Sequence, residues 1–199
     1  MNTCDDPTDK NIYIAPCFLY LNKMMNAIKW HYKAILILSL LLFALFHAWA
    51  QNDYTIHANI IYRFTKYINW PDDKKNGDFV IGIVGDSPLF EELKNFTANK
   101  MVAGQQIVVK KYTATASSYS CHILFLGDDE SGSVKRIVAN TAGTPTLLVT
   151  ESEGLSHKGS CINFVIVDDR LKLEINKENI ERRSLDIASE LLNLGIIVN

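Results

Sequence analysis

The chain has 199 residues, 48% of them hydrophobic and 21% charged, with 20 Lys+Arg against 22 Asp+Glu for a formal net charge of −2. It shows no basic block and no interleaving of basic and aromatic residues, which argues against a nucleic-acid partner.

Residues 34–46 form an apolar run of 13 residues broken only by Ser39. Lys29, His31 and Lys33 precede it, and Ala48-Trp49-Ala50 follows. A basic region, a greasy core and an A-x-A site in that order describe a secretory signal peptide. A membrane anchor is the competing reading, but the run falls short of the roughly 20 residues that span a bilayer. We therefore expect residues 24–50 to be a signal peptide cleaved near Ala50. Residues 1–23, upstream of Met24 and Met25, are expected to be an extension outside the fold. Residues 51–199 are expected to be a single domain of 199 − 50 = 149 residues, long enough for a real core. Its charges are 16 Lys+Arg and 19 Asp+Glu, so 16 − 19 = −3. Only two of the four cysteines, Cys121 and Cys161, fall within it.

Ile56, Ile60, Ile61, Phe64, Tyr67 and Ile68 recur at helical spacing, so a helix is expected over 54–70, capped by Asp53 and stopped by Pro71. The aromatics Tyr62, Phe64, Tyr67 and Trp70 are either core and rim packing or part of a recognition surface. Residues 79–84 read as a strand ended by Gly85. Ser87 and Pro88 then open a helix whose buried stripe is Leu89, Leu93 and Phe96. The turn between them lacks the G-x-G-x-x-G spacing and the Walker lysine, so a plain strand–helix turn is the stronger reading.

Residues 106–112 read as a strand. Cys121-His122-Ile123-Leu124-Phe125-Leu126-Gly127 has four apolar residues without a polar break, the pattern of a strand covered on both faces. A short helix over 133–142 and a buried strand over 145–150 follow. Two strands, 161–167 and 170–175, flank Asp168-Asp169 as a tight hairpin. Ile180, Ile187, Leu191 and Leu194 then predict a helix over 177–194, capped by Asn176 and ended by Gly195. This order predicts an α/β three-layer sandwich: a mostly parallel sheet, helices on both faces, and an antiparallel hairpin at one edge.

No G-x-S-x-G elbow is present, and His57, His122 and His157 sit in no catalytic spacing. Cys121 beside His122 resembles a thiol with a base, but the thiol opens a buried strand. Cys121, His122, His157 and Cys161 match no common zinc module, and neighbours on a strand point to opposite faces. No cofactor is implied and no enzyme is expected. A disulfide between Cys121 and Cys161 is the remaining reading. Both residues open strands, so parallel strands place them at one sheet edge. Bridged Cα atoms must come within about 7 Å, which antiparallel strands forbid here.

Four stretches in order resemble the YfiR/HmsC family of exported regulatory proteins. They are the run from Ala58 to Trp70-Pro71, the strand Ile81-Gly82-Ile83-Val84-Gly85, the strand Cys121–Leu126, and the pair Leu173-Glu174-Ile175-Asn176 with Leu185-Asp186-Ile187-Ala188-Ser189-Glu190-Leu191-Leu192. The resemblance implies regulation without catalysis in the periplasm. It implies binding to the outward-facing part of an inner-membrane diguanylate cyclase, with relief by redox state and by an outer-membrane lipoprotein. It also covers chains that serve other receptors, so a histidine kinase is the alternative target, fed by a small ligand bound at the loops after Val84, Leu126 and Val149. A homodimer stays open as a further partner. Partner contact is expected on the first and last helices, from Tyr62, Phe64, Tyr67, Trp70, Leu191 and Leu192. Family members carry disulfides; Cys121 matches their strand cysteine, and its mate is left open.

Overall fold

The structure, a computed structural model, describes residues 54–199 together with Lys33, Ile35, Leu38 and Ser39, which are helical. The expected extension, the signal peptide apart from those four positions, and the cap at Asp53 lie outside the described residues. The first half of the described chain comprises α1 (Thr55–Tyr67), β1 (Ile68–Asn69), β2 (Phe79–Val84), α2 (Leu89–Thr97), β3 (Met101–Val102), β4 (Gln105–Tyr112) and β5 (Ile123–Leu126). Then come α3 (Val134–Asn140), β6 (Leu147–Thr150), β7 (Ile162–Val167), β8 (Arg170–Asn176), α4 (Lys177–Glu181), β9 (Asp186–Ile187), α5 (Ser189–Leu192) and β10 (Ile196–Val198).

Eight strands form one sheet in the order β10-β8-β7-β6-β5-β2-β4-β3. The run from β4 to β7 is parallel, β8 is antiparallel to β7, and β3 is antiparallel to β4. The fold is the expected α/β sandwich with a mostly parallel sheet. Its centre is β5, every residue of which is buried. Ile81, Ile123 and Leu147 pair across β2, β5 and β6 in one row. Removing each such side chain from water contributes about 1.5–3 kcal/mol, an upper bound because the unfolded chain already buries part of it.

The crossover from β2 to β4 steps to one side of the sheet, while β5 to β6 to β7 step to the other. Right-handed crossovers then set α2 and α3 on opposite faces. α1 lies on the α2 side: Tyr62 packs edge-on against Phe96 at 5.7 Å, and Phe64 rests on Phe164 of β7. Phe64 and Ile61 form its buried stripe, with Ala58 between them and the N-terminus.

Two expected helices are shorter than their patterns. The first ends at Tyr67, because Ile68 and Asn69 pair antiparallel with Ile187 and Asp186. The last is broken. Asn176 caps α4 as expected, its side chain accepting from the Asn179 N–H at 3.0 Å. Ser184 then takes φ 56°, a left-handed conformation that no helix interior admits. Arg183, only 6% exposed, donates through Nη1 to the Thr141 carbonyl at 2.8 Å, and Leu185 is buried. These contacts and the β1–β9 ribbon outweigh the local helical periodicity. Gly195 crosses so close to β8 that a Cβ would sit 2.5 Å from Ile175 Cδ1. The chain thereby lays β10 alongside β8 as the edge strand, so the hairpin is not itself the edge.

The hairpin turn holds Asp168 at φ 51° and Asp169 at φ 56°. Two consecutive positive φ values define a type I′ turn, which prefers glycine at its second position. Asp169→Gly should therefore raise the unfolding free energy by about 0.5–1 kcal/mol. A shift of the urea midpoint to higher concentration, with an unchanged slope, is the expected readout.

Candidate functional surfaces

The six residues expected to contact a partner separate into two groups. Phe64, Trp70 and Leu191 are buried, at 0%, 5% and 3% exposure. They belong to the core and are corrected from surface to packing residues. Tyr62, Tyr67 and Leu192 are half-buried and keep part of their surface. The Tyr67 carbonyl accepts from the Ala188 N–H at 2.8 Å, so the end of α1 and the start of α5 adjoin.

Trp70 is held by a cluster the sequence concealed. Its indole Nε1 donates to the His122 carbonyl at 3.2 Å, and its ring meets Phe79 edge-on at 5.0 Å. The His122 imidazole stacks on Phe79 at 4.3 Å. His122 Nδ1 accepts from the Val80 N–H at 3.0 Å, which assigns the proton to Nε2, 2.8 Å from the Lys74 carbonyl. Burial lowers the His122 pKa below 6.5, with the bond to the Lys74 carbonyl opposing that shift. The imidazole is thus a neutral structural wedge and does not face the Cys121 thiol as a base.

Both cysteines are buried free thiols. β5 and β7 do run parallel, but β6 lies between them. Two strand spacings come to about 10 Å, beyond the roughly 7 Å a bridge allows. The register adds to the separation. Cys161 N–H donates to Leu148, the partner of Leu124, whereas Cys121 lies three residues before Leu124. Burial pushes the Cys121 thiol up to about 12 and raises that of Cys161. Neither is an activated nucleophile. Among the described residues no group of three or more His, Cys, Asp or Glu side chains is placed to hold a metal ion.

The parallel strands β4-β2-β5-β6-β7 have the 2-1-3-4-5 order, whose topological switch point lies between β2 and β5. An open cleft of about 620 Å³ sits beside it, lined by Asp86, Lys111, Tyr112, Glu130, Ser133 and Arg136, among others. The loops after Val84 and Leu126 supply part of this lining. Lys111 Nζ lies 2.6 Å from Asp86 Oδ1, and Arg136 Nε donates to the Ala114 carbonyl at 2.9 Å. Glu130 lies over Gly85, within 2.8 Å of where a Cβ would stand. The charges Lys111 and Arg136 offset Asp86 and Glu130, so the cleft suits a polar ligand without large net charge.

A second cluster forms where the start of α1 meets the end of β6. Glu151 Oε1 accepts from Tyr54 OH at 3.0 Å and from the Asp128 N–H at 3.1 Å, and Oε2 lies 3.8 Å from His57 Nε2. Burial raises the Glu151 pKa above its usual 4.5, opposed by those two hydrogen bonds. His57 also packs on Phe164 at 4.6 Å. Sequence reading missed this cluster because Tyr54 and Glu151 are 97 residues apart, with no local pattern joining them.

The family described as YfiR/HmsC-like matches residues 54–196 of the chain. No curated protein sequence matches it. Among the described residues no helix is long and apolar enough to cross a membrane.

The lowered pKa of His122 has a definite sign for stability. Between the folded value and 6.5 the unfolded chain binds the extra proton, so His122 contributes stability above 6.5 that is lost as pH falls toward the folded value. Glu151, with a raised pKa, acts in the opposite sense above 4.5. Chemical unfolding from about pH 7 to about pH 5 should therefore show a smaller loss of stability for His122→Phe than for the parent chain. Equal slopes would show that the imidazole is not buried neutral.

Proposed function

The chain belongs to the YfiR/HmsC-like family, and from that membership we propose that it is an exported, non-catalytic regulator that binds a membrane-bound signalling protein and restrains it. The family is a regulatory one of the periplasm. The proposed target is the outward-facing part of an inner-membrane diguanylate cyclase, so that the chain lowers cyclic-di-GMP output; a lipoprotein of the outer membrane is a proposed source of relief. The family match over nearly all of the described domain carries this reading. Tyr62, Tyr67 and Leu192, half-exposed around the first and last helices, support contact with a partner there.

A second reading is favoured by one observation, the polar cleft beside the switch point. In it the domain is a small-ligand sensor feeding a histidine kinase or another membrane receptor. The two readings differ in what stabilises the protein: a ligand in the cleft raises the melting temperature by mass action, whereas a pure protein-binding regulator responds only to its partner.

Deleting the gene should raise cellular cyclic-di-GMP by about fivefold or more, a coupling of ordinary allosteric size. Deleting the target cyclase as well should abolish the rise. Unchanged cyclic-di-GMP, with membrane extracts yielding no bound signalling protein, would remove the diguanylate cyclase reading.

A further inference from the structure

We propose that the outer junction of α1 and α2 is a docking site for an acidic segment of the partner protein, centred on Tyr62; the proposal rests on the regulatory reading above only for the existence of that partner. Lys66 Nζ lies 5.8 Å and Lys100 Nζ 5.6 Å from the centroid of the Tyr62 ring. Lys100 Nζ also lies 3.9 Å from the centroid of Phe96, the ring that meets Tyr62 edge-on. Both ammonium groups are held by the negative faces of half-buried rings.

Among the described residues neither lysine has a carboxylate, whereas Lys111 finds one in Asp86 at 2.6 Å and Lys177 in Glu181 at 3.2 Å. Among the described residues Lys66, Lys100 and the neighbouring Arg63 form no ion pair; Arg63 Nε donates to Asn59 Oδ1 at 3.2 Å, and Lys100 Nζ to the Phe96 carbonyl at 2.5 Å. Two cations, Lys66 and Lys100, are thus gathered beside two partly exposed aromatic rings. An incoming carboxylate would gain charge-assisted bonds to Lys66 and Lys100 while its apolar neighbours cover Tyr62 and Phe96. The positive character is local, because residues 51–199 carry 16 − 19 = −3. A short acidic segment can meet the two lysines alone, whereas an extended anionic lipid surface also meets the acidic remainder of the domain, which favours a protein segment over a membrane.

The test is a nitrogen-15 NMR titration of the purified protein with a blocked hexapeptide of alternating glutamate and leucine. Its glutamine analogue and vesicles of phosphatidylcholine with a minority of phosphatidylglycerol serve as comparisons. The expected result is perturbation centred on Tyr62, Lys66 and Lys100. Affinity should weaken about tenfold in the double variant Lys66→Gln, Lys100→Gln, and also with added salt. Both lysines are outside the core, so the variant keeps its fold, checked by its amide spectrum. Equal affinity in the variant, perturbation elsewhere, no peptide binding, or binding to the vesicles alone would overturn the proposal. In cells, a Lys66→Glu, Lys100→Glu chain that restrains signalling like the parent, while gene deletion releases it, would overturn the docking site and leave the regulator standing. A deletion without effect would instead remove the regulator and leave the peptide result intact.

Discussion

The structure depends on covering β5 from both sides. Ile123, Leu124, Phe125 and Leu126 all have 0% exposure, and successive side chains on a strand point to opposite faces. Two apolar layers must therefore exist, one above the sheet and one below. Right-handed crossovers then divide the helices, with α2 on one face and α3 on the other. α1 completes the first layer by lowering Ile61 and Phe64 onto it, and in doing so turns Tyr62 and Lys66 outward toward α2. The outward face is a consequence of the buried one, since a helix of 13 residues has both.

Where patterns were local, the sequence was readable. The strands β2, β5, β6 and β7 are short apolar runs closed by glycine or acidic turns, and each appears within two or three residues of its expected place. The β7–β8 hairpin follows from two adjacent aspartates between apolar runs, and Asn176 caps as its type predicts. Long-range pairing was not readable. Ile187, Leu191 and Leu194 keep helical spacing, yet Ile187 pairs with Ile68 in a two-residue ribbon, Leu191 is buried in the short α5, and Leu194 is exposed beyond it. No local signal distinguishes Arg183 as buried; only the Thr141 carbonyl, 42 residues away, accounts for it.

The same limit governs the functional residues. Phe64 and Tyr62 look alike on paper, but one faces Phe164 and the other faces Phe96 and solvent. Trp70 closes an aromatic run that resembles a family signature, and it serves as packing because His122, 52 residues away, supplies its acceptor. The two cysteines open parallel strands as a disulfide would require, and are kept apart by β6, which came between them only in the strand order. Residue type and spacing gave the candidates, and the topology sorted them into wedge, core and surface.

The domain thus carries a buried pair of thiols, an open polar cleft, and an aromatic face whose lysines form no ion pair among the described residues. The proposed contact places a membrane signalling protein on the outer face of α1. In-cell photocrosslinking from a benzoyl-phenylalanine placed at Tyr62, with Ile166 at the far hairpin as the comparison position, tests this most directly. An adduct with an inner-membrane signalling protein from Tyr62, and none from Ile166, is the expected result. An adduct from Ile166 alone, or none from either position, would contradict it.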